Sequence, residues 1–467
     1  MELIQLDATS RNPLYLQLYT YIKQAIEQSR LSEGDKLPSI RGLAASLAIS
    51  KITVEKAYQQ LMSEGYILNC NRSRYLVNKF EVMTIKRSVV PTQSCETKQQ
   101  SKKNQKILFD FASGEMDIGG FDFSLWKRYI NKVLLDKERL VGYGHVQGEA
   151  ELRAEIAKYI RDSRGVNARQ EQIIIGPGIQ SLLNTLCSLL KSEASSIAFE
   201  DPGFKNGRRI FANYAFTIMP IPMKKDGIDI HQLLCSEAKL AYVSPSHQFP
   251  TGYIMPVGKR VQLLNWAERV NGIIIEDDYD SEFRYFGRPI PALKGLDNGE
   301  TVVYLGSLSK VIPPSIRISY MVLPEKLLAG FQQNAALYNQ ATSTLEQLAL
   351  AQFMADGCLE RQIRRLRKLY HGKKGMLVDA VRGILGNHVE IEGTESGLNI
   401  ILTIKSKLEA KQLVARALGK GCRVASVQDY YLQNTPENTS RILLYFSKIP
   451  AKEIEAAVKR LRDAWFG

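Results

Sequence analysis

The sequence has few of the features that mark a secreted, metal-binding or membrane-embedded chain. Its 467 residues include six cysteines, none of them in a C-x-x-C pair or close to a histidine at metal-ligand spacing. No stretch approaches eighteen consecutive apolar residues, and the first residues show no basic segment followed by an apolar run. These absences predict reduced thiols, no metal site, no membrane span and a cytoplasmic location.

Negative charge is the scarcer sign in this chain. Lys and Arg total 62 against 48 Asp and Glu, which gives a formal net charge of +14. Residues 80–106 are the most basic segment, with six Lys or Arg against two acidic residues. The balance is compatible with a polyanionic partner, but many soluble proteins are basic and the signal alone is weak.

The first 79 residues show the pattern of a small helical domain that ends in a hairpin. Apolar residues recur at helical spacing after Pro13, and Ser39 and Ser50 stand where helix caps are expected. Residues 34–38 are predicted to form a loop. The predicted elements are helices at 13–30, 39–47 and 51–64 and a hairpin of 66–68 with 75–77. This order is that of a winged helix-turn-helix.

The rest of the chain predicts a linker and a larger α/β domain. Residues 80–106 are polar and aperiodic, which indicates a flexible linker. From 107 to 467, apolar runs alternate with helical patterns, which is typical of an α/β fold with a largely parallel sheet. The predicted strands are Ile173–Ile175, Ser196–Phe199, Leu240–Val243, Gly272–Glu276 and Val302–Leu305. From about 360, a basic helix (Leu359–Lys374) and two strands (Leu398–Ile404 and Ile442–Tyr445) indicate a smaller α+β subdomain.

Three short segments follow predicted strands, at the sheet edge where open α/β folds bind ligands. Lys310, after a Gly/Ser turn, could form a Schiff base with an aldehyde cofactor. Asp277 or Asp278 could keep a pyridine nitrogen protonated, and the Gly-rich turn at 176–180 with Arg317 could hold a phosphate. Each feature alone is more often a surface lysine, a solvated carboxylate pair or a common turn. Their conjunction in this chain order favours the cofactor site.

Longer strings carry a specific resemblance to a known family. They are GDKLPSIRGLAASLAISKITVEKAYQQLMSEGYI, YGHVQGEAELRAEIAKYI, SPSHQFPTGYIMPVGKRVQLLNWA, IIEDDYDSEFRY and YLGSLSKVIPPSIRISYMVLP. Over essentially its full length the chain resembles the GntR-type regulators with an aminotransferase domain, the MocR/GabR/PdxR subfamily. The resemblance implies an α+β winged helix-turn-helix, then an α/β fold-type I aminotransferase-like domain with a smaller C-terminal α+β subdomain.

The resemblance also implies roles at matching positions. Lys310 would hold pyridoxal 5′-phosphate as a Schiff base, Asp277 would pair with the pyridine nitrogen, and Tyr279 would bond the ring 3-hydroxyl, with Asp278 as the competing carboxylate. The other implied contacts are Ser307, Ser309, Arg317, Gly178, Ile179 and Gln180 at the phosphate, Phe204 on the ring, His247 at the ring edge and Tyr143 from a partner subunit. Phe249 stands where related enzymes carry Asn, which predicts altered contacts at the ring edge.

A DNA-reading surface is predicted on the third helix and the hairpin. A recognition helix enters the major groove by its N-terminal end, where polar and basic side chains are needed. The predicted contacts are Ser50, Lys51, Thr53 and Lys56 on the helix, Arg41 on the preceding helix from the resemblance, and Arg72 and Arg74 on the wing. Each of them taken alone is more often a solvated surface residue. The wing lacks the glycines that are usual in the family.

The sequence therefore predicts a DNA-binding regulator, a homodimer with a head-to-tail domain swap, that senses pyridoxal phosphate or an amine. An active aminotransferase, a regulator that responds to GABA or another amino acid, and a cofactor-carrying scaffold with non-specific DNA contact are the alternatives. In GABA-responsive relatives two arginines bind the effector, and Asn206 and Lys448 stand at those positions here. This difference favours control of vitamin B6 synthesis, as in PdxR, and leaves the extent of any transamination open.

Overall fold

The computed structural model describes residues 6–10, 12–71, 74–79, 106–285, 290–297, 300–393, 395–432 and 440–467. The chain divides into two compact units, residues 1–102 and 103–467. The predicted linker at 80–106 lies outside the described residues, except for Lys106.

The N-terminal unit contains three helices and a small antiparallel sheet. The helices are α1 (Leu14–Glu27), α2 (Ile40–Ser46) and α3 (Lys51–Ser63), and the strands are β1 (Lys36–Leu37), β2 (Ile67–Asn71) and β3 (Arg74–Val77). The sheet order is β1-β3-β2. This arrangement confirms the predicted winged helix-turn-helix.

The core of this unit follows from the spacing of its apolar residues. Leu18 and Ile22 on α1 and Val54, Tyr58 and Leu61 on α3 are fully buried, because residues three and four apart lie on one face of a helix. The exposed residues of α3 occupy the opposite face. The helix is therefore held by one side and presents the other to solvent.

One local prediction in this unit was wrong. Residues 34–38 were expected to form only a loop, but Lys36 and Leu37 pair antiparallel with Leu76 and Tyr75. The two-residue strand is too short to show a strand periodicity in the sequence. Its hydrogen bonds depend on the position of the hairpin about forty residues later in the chain.

The C-terminal unit is built on an eight-stranded sheet. Its strands are β5 (Ile173–Gly176), β6 (Ser196–Asp201), β7 (Thr217–Lys224), β8 (Gly227–Ile228), β9 (Leu240–Val243), β10 (Ile273–Asp278), β11 (Val302–Ser307) and β12 (Ser319–Val322). The order is β5-β12-β11-β10-β9-β6-β7-β8. The five strands in the middle, β11 to β7 in this order, are parallel, and β12, which lies between β11 and β5, is antiparallel to both. All five predicted strands are present.

The helices of this unit are α4 (Phe123–Val133), α5 (Lys137–Leu140), α6 (Ala150–Arg164), α7 (Ile179–Leu190), α8 (Lys205–Asn213), α9 (Ile230–Cys235), α10 (Val257–Val270), α11 (Glu325–Gln333), α12 (Thr344–Ala355), α13 (Cys358–Leu385), α14 (Ala410–Gly419) and α15 (Ile454–Trp465). Strands β9 and β10 are buried along their whole length. Burial on both faces explains why these strands appear in the sequence as continuous apolar runs.

A second, antiparallel sheet forms the smaller part of the C-terminal unit. Its strands are β13 (Val389–Glu392), β14 (Asn399–Ile404), β16 (Ala425–Ser426) and β17 (Ser440–Tyr445), in the order β13-β14-β17-β16. We call this sheet, with α14 and α15, the small subdomain. A separate parallel pair joins β4 (Phe109–Asp110) to β15 (Cys422–Arg423). Helix α13 begins where the sequence predicts but continues eleven residues beyond the expected end.

Within the part of the chain that the structure describes, none of the helices combines the length and the apolar character needed to cross a bilayer. The longest helix, α13, carries charged residues along its whole length.

Candidate functional site

A cavity of about 240 Å³ lies at the carboxyl end of β10 and β11. These strands are parallel neighbours, so the residues that follow them emerge at the same edge of the sheet. The cavity is lined by Ile179, Phe204, Phe249, Asp277, Tyr279, Ser307, Lys310 and Tyr445. The fold thus brings together six residues that the sequence predicts for a cofactor: Ile179, Phe204, Asp277, Tyr279, Ser307 and Lys310.

Lys310 presents its amine to the cavity. Its Nζ donates a hydrogen bond to the carbonyl oxygen of Gly114 at 2.6 Å and lies 6.0 Å from the ring centre of Tyr445. Burial lowers the pKa of the Lys310 amine, and the charges of Asp280 and Glu115 oppose this shift. A lowered pKa increases the neutral fraction of the amine, which is the form that attacks a carbonyl carbon.

Asp277 has one oxygen without a partner. Its Oδ2 accepts a hydrogen bond from the hydroxyl of Tyr242 at 2.6 Å, whereas Oδ1 is buried and accepts none from the described residues. Burial raises the pKa of Asp277 to about 7, and the hydrogen bond from Tyr242 opposes that shift. A buried acceptor without a donor is costly, so a donor on a ligand would be stabilised at this position.

The neighbouring carboxylate, Asp278, is fully engaged elsewhere. Its Oδ2 accepts hydrogen bonds from Nε of Arg164 at 2.7 Å and from the hydroxyl of Tyr304 at 2.6 Å, and its Oδ1 accepts one from Nη2 of Arg164 at 3.2 Å. Asp278 does not line the cavity. Strand alternation sends adjacent side chains to opposite faces of the sheet, so only one of the two can face a ligand. The geometry favours Asp277 over Asp278 as the cavity carboxylate.

An anion could bind at the start of α7. Gly178 precedes this helix with a φ of +117°, and a Cβ at this position would lie 2.6 Å from Nη2 of Arg317. The amides of Ile179 and Gln180 open a twelve-residue helix, and helix N-termini attract anions. Arg317 forms no ion pair with any described residue. Glycine is therefore required where the guanidinium meets the helix start.

Ser307 and Ser309 lie beside this anion site. The hydroxyl of Ser307 donates to that of Ser309 at 3.0 Å and accepts a hydrogen bond from Ser319 at 3.1 Å. The three hydroxyls form a connected group at the end of β11, and Ser307 lines the cavity. They could turn toward a phosphate oxygen, because a hydroxyl proton rotates freely to suit its acceptor.

Six predicted cofactor contacts lie outside the cavity lining, and two of them, His247 and Tyr143, do not belong to the group around the start of α7 and the end of β11. His247 is buried, with Nδ1 2.7 Å from Oδ1 of Asp280 and 3.1 Å from the hydroxyl of Tyr279. Tyr143 is completely exposed to solvent. The predicted direct contact of His247 and the predicted role of Tyr143 across subunits stay predictions. Phe204 lines the cavity as expected, with its ring 6.0 Å from that of Tyr242.

The recognition-helix candidates lie at the exposed start of α3. Ser50 caps the helix: its hydroxyl accepts a hydrogen bond from the amide of Thr53 at 3.1 Å and lies 2.8 Å from the hydroxyl of Thr53. Lys51 and Lys56 are exposed, and Ile52 between them is 64% exposed. Ile52 is not among the DNA contacts predicted from the sequence. An exposed β-branched residue at the start of a helix nevertheless suits contact with a thymine methyl group.

The predicted arginines of the N-terminal unit are placed unequally. Arg41 on α2 and Arg74 on β3 are exposed and form no ion pair with other described residues. Arg72 lies outside the described residues. Both described arginines are therefore available to phosphate oxygens.

Comparison with protein families accounts for both units. Residues 14–77 match the model for bacterial regulatory proteins of the gntR family, and residues 106–461 match the model for aminotransferases of class I and II. The chain belongs to the MocR-type regulators. In this family a GntR DNA-binding domain precedes a class I and II aminotransferase domain, for which pyridoxal phosphate is the cofactor.

Relatives of MocR type match the chain from end to end. The chain is 41% identical to the HTH-type transcriptional regulator YdeL of Bacillus subtilis, over 98% of both chains. It is 30% identical to the probable rhizopine catabolism regulatory protein MocR of Rhizobium meliloti, over 99% of this chain and 96% of the relative. It is 29% identical to the pyridoxine biosynthesis regulator PdxR of Corynebacterium glutamicum, over 89% and 88%.

Solved structures give the same fold for the C-terminal unit. A multiple-substrate aminotransferase from Thermococcus profundus superposes with a TM-score of 0.70 at 23% identity, over 83% of this chain and 96% of the other. At this level of identity the likeness establishes the fold-type I architecture alone.

The structure also shows residues of the MocR-type cavity that the sequence analysis missed. Tyr445 lines it from the small subdomain, and Tyr430 packs edge-on against Phe249 with ring centres 4.7 Å apart. Tyr242 forms a hydrogen bond with the predicted Asp277, and Asp280 forms one with the predicted His247. No short motif identifies these four residues as part of a site. The only sequence signal was that Tyr242 and Tyr445 are aromatic residues within predicted strands.

Proposed function

We propose that the chain is a transcriptional regulator whose affinity for promoter DNA is set by pyridoxal phosphate bound at Lys310. The unpartnered Oδ1 of Asp277, in the same cavity as the Lys310 amine, carries the proposal. A protonated pyridine nitrogen is a donor that suits this oxygen, and an aldehyde is a group that suits the amine.

Each part of the cofactor has a candidate residue. Lys310 would hold the aldehyde carbon, Asp277 the ring nitrogen, and Tyr279 the ring 3-oxygen, while Phe204 would cover one ring face. Arg317, the serine hydroxyls and the amides at the start of α7 would hold the phosphate. When bound, the cofactor supplies an electron sink, but a sensor needs only the binding step.

Two basic side chains at or beside the effector positions of the GABA-responsive relatives are paired with carboxylates, which supports a sensor of pyridoxal phosphate over a sensor of amino acids. Arg208 pairs with Asp201 at 3.2 Å, and Lys448 pairs with Glu115 at 2.6 Å. Arg441 on β17 pairs with Glu392 at 2.8 Å. To bind at Lys448 or Arg208, the carboxylate of GABA or another amino acid would have to displace the existing partner. We therefore favour control of vitamin B6 synthesis, the role that the name of the PdxR relative states.

The decisive experiment measures DNA binding with and without the cofactor. Fluorescence anisotropy with the duplex upstream of this gene, or of adjacent vitamin B6 genes, should give an affinity that changes when pyridoxal phosphate is added. Lys310→Ala should bind the duplex but should not respond to the cofactor. A response to GABA in the absence of any response to pyridoxal phosphate would favour the amine-catabolism alternative.

An active aminotransferase is the second candidate, because a buried lysine with a lowered pKa also suits catalysis. Phe249, at the position where related enzymes carry Asn, weighs against it. A multiple-turnover assay with common amino donors and keto acids separates the two functions. Robust turnover would replace the sensor proposal.

We propose further that the chain is a homodimer, with a head-to-tail domain swap. Three large apolar side chains that lie close together in the sequence are exposed to solvent in the single chain. Leu135 is 81% exposed, Val141 is 87% exposed, and Tyr143 is completely exposed. Leu135→Lys should yield monomers in size-exclusion chromatography with light scattering. Val257→Lys, at an exposed position on α10, is the matched control. A dimer that survives Leu135→Lys would remove this face from the proposed interface.

A further inference from the structure

A buried group of three residues lies directly behind the cavity. The side chains of His247 and Asp280 are 4% and 2% exposed, and Nδ1 of His247 is 2.7 Å from Oδ1 of Asp280. The same nitrogen is 3.1 Å from the hydroxyl of Tyr279, whose ring lines the cavity. One nitrogen thus faces a carboxylate and a phenol at once.

The carboxylate decides where the protons lie. An ionised carboxylate only accepts hydrogen bonds, so beside an ionised Asp280 the imidazole places its N–H on Nδ1 and donates it across the 2.7 Å contact. Nδ1 then has no lone pair to accept the phenol proton of Tyr279. The phenol oxygen can accept only a weaker share of the same N–H, and its own O–H must point elsewhere. The cavity is the direction open to it.

Two glycines lie beside the imidazole of His247. A Cβ at Gly397, which precedes β14 of the small subdomain with a φ of +75°, would overlap the His247 ring. A Cβ at Gly252, with a φ of +74°, would lie 3.2 Å from Nε2 of His247. The absence of a side chain at Gly397 therefore leaves the space that the ring occupies, and the contact with Asp280 orients Nδ1.

We infer that His247 is a positioning residue which, held by Asp280, directs the hydroxyl proton of Tyr279 into the cavity, toward the 3-oxygen of the bound cofactor. The inference rests on the proposed function, because it needs pyridoxal phosphate in this cavity. It replaces the direct ring-edge contact expected for His247 with an action through Tyr279.

A donor at the 3-oxygen has a measurable effect. A hydrogen bond donated to the 3-oxygen stabilises the ionised form of that oxygen. The donor therefore lowers the pKa of the 3-hydroxyl group. Other charged or titratable groups also face Tyr279 or the Lys310 amine: Asp280, Asp277, Glu200, Tyr445 and Glu115. Substitutions at His247 keep all of these groups in the chain but change the partner of Asp280, so the comparison of His247→Asn with His247→Gln isolates the position of the N–H donor.

The first measurement needs no cofactor. In ¹⁵N spectra of the full chain, His247 should carry its proton on Nδ1, and the signal is assigned by its loss in His247→Asn. The exposed His231→Asn variant is the control, and the chain has only five histidines. A proton on Nε2 with none on Nδ1 would overturn the inference, because Nδ1 would then be free to accept the phenol proton.

The second measurement is the pH titration of the visible band after the protein is loaded with pyridoxal phosphate. An Asn side chain places its N–H near the position of Nδ1, and a Gln side chain places it near Nε2. His247→Asn should therefore titrate like the wild type, and His247→Gln should titrate about one pH unit higher, as should Tyr279→Phe. The double variant His247→Gln with Tyr279→Phe should titrate at the same pH as Tyr279→Phe alone.

The outcomes separate the two proposals. Equal titrations for the Asn and Gln variants, or additive shifts with Tyr279→Phe, would overturn the positioning role while the cofactor site stands. A wild-type protein that stays colourless with pyridoxal phosphate would overturn the proposed function and this inference together. The ¹⁵N result would still report the proton position at His247.

Discussion

The start of α3 and the cavity at the ends of β10 and β11 present functional side chains in opposite ways. On α3 the candidate contacts are exposed, and the helix is held by its buried face and by the Ser50 cap. In the cavity the candidate contacts are buried, and one oxygen of Asp277 has no partner. A surface contact can be removed at the cost of binding alone. A buried one also alters the neighbours that it bonds, so binding and stability change together.

The largest expected effect tests the buried side of this comparison. Lys310→Ala should abolish the adduct that borohydride fixes between protein and pyridoxal phosphate, because no second amine lines the cavity among the described residues. Mass spectrometry after reduction measures the adduct. Lys411→Ala, at an exposed site on α14, should keep it. A full-strength adduct in the Lys310 variant would move the attachment point.

Asp278→Asn should destabilise the C-terminal unit by about 3–5 kcal/mol, because it leaves Arg164 buried without its anion. Asp277→Asn should cost the cofactor-free protein no stability at neutral pH, since Asp277 has no cationic partner among the described residues and its burial disfavours the ionised form, and should instead weaken cofactor binding. Urea unfolding of both variants measures the contrast. Equal losses of stability would mean that the two carboxylates do not play separate roles.

A pH series sharpens the same contrast. Burial raises the pKa of Asp277 from its ordinary 3.8 to about 7, so between these values the folded state keeps a proton that the unfolded chain has lost. Stability of the cofactor-free protein should therefore fall as pH rises from 4 to 7, by up to about 4 kcal/mol from this group. Glu200, whose pKa burial raises to about 8, acts in the same direction.

The test is the free energy of unfolding at pH 5 and pH 8. Asp277→Asn has no titrating group at this position, so its stability should fall less than that of the wild type over this range. The same slope in both proteins would show that Asp277 is ionised in the folded state throughout.

On the exposed side, Arg41→Ala should weaken promoter binding about tenfold and lower the salt dependence by about one unit, because one phosphate contact is lost. Its thermal stability should stay at the wild-type value, since Arg41 has no ion pair among the described residues. Lys36→Ala, exposed on β1, is the matched control. Unchanged binding by Arg41→Ala would exclude this contact.

The smallest expected effect concerns the cap of α3. Ser50→Ala should destabilise the N-terminal unit by about 1 kcal/mol, because the amide of Thr53 loses its acceptor. Ser50→Gly should cost less, since glycine is tolerated at helix caps. Thermal unfolding followed by circular dichroism measures both. Equal losses would assign the effect to contacts other than the cap.

The fold could be predicted because burial leaves a direct signature. Strands such as β9 and β10 are buried on both faces, and α3 is buried on one, so their apolar patterns differ in the sequence itself. The strand at Lys36–Leu37 could not be predicted, since it exists only through its pairing with β3.

The site was predictable as a set of segments but not as contacts. Asp277 and Asp278 are adjacent, and what separates them is the bond from Arg164, 114 residues away, to Asp278. The position of His247 behind Tyr279 depends on Asp280 and on the glycine of a distant loop. Such relations belong to the folded chain, because they join residues whose spacing in the sequence carries no periodic signal.

The first strand after the predicted linker has a mechanical consequence. Phe109 and Asp110 pair with Cys422 and Arg423, and the amide of Tyr445 on β17 donates to the carbonyl of Phe111. The chain thus enters the C-terminal unit attached to the small subdomain. A rotation of that subdomain would therefore move residues 109–111 with it, so the start of the C-terminal unit follows the position of the small subdomain.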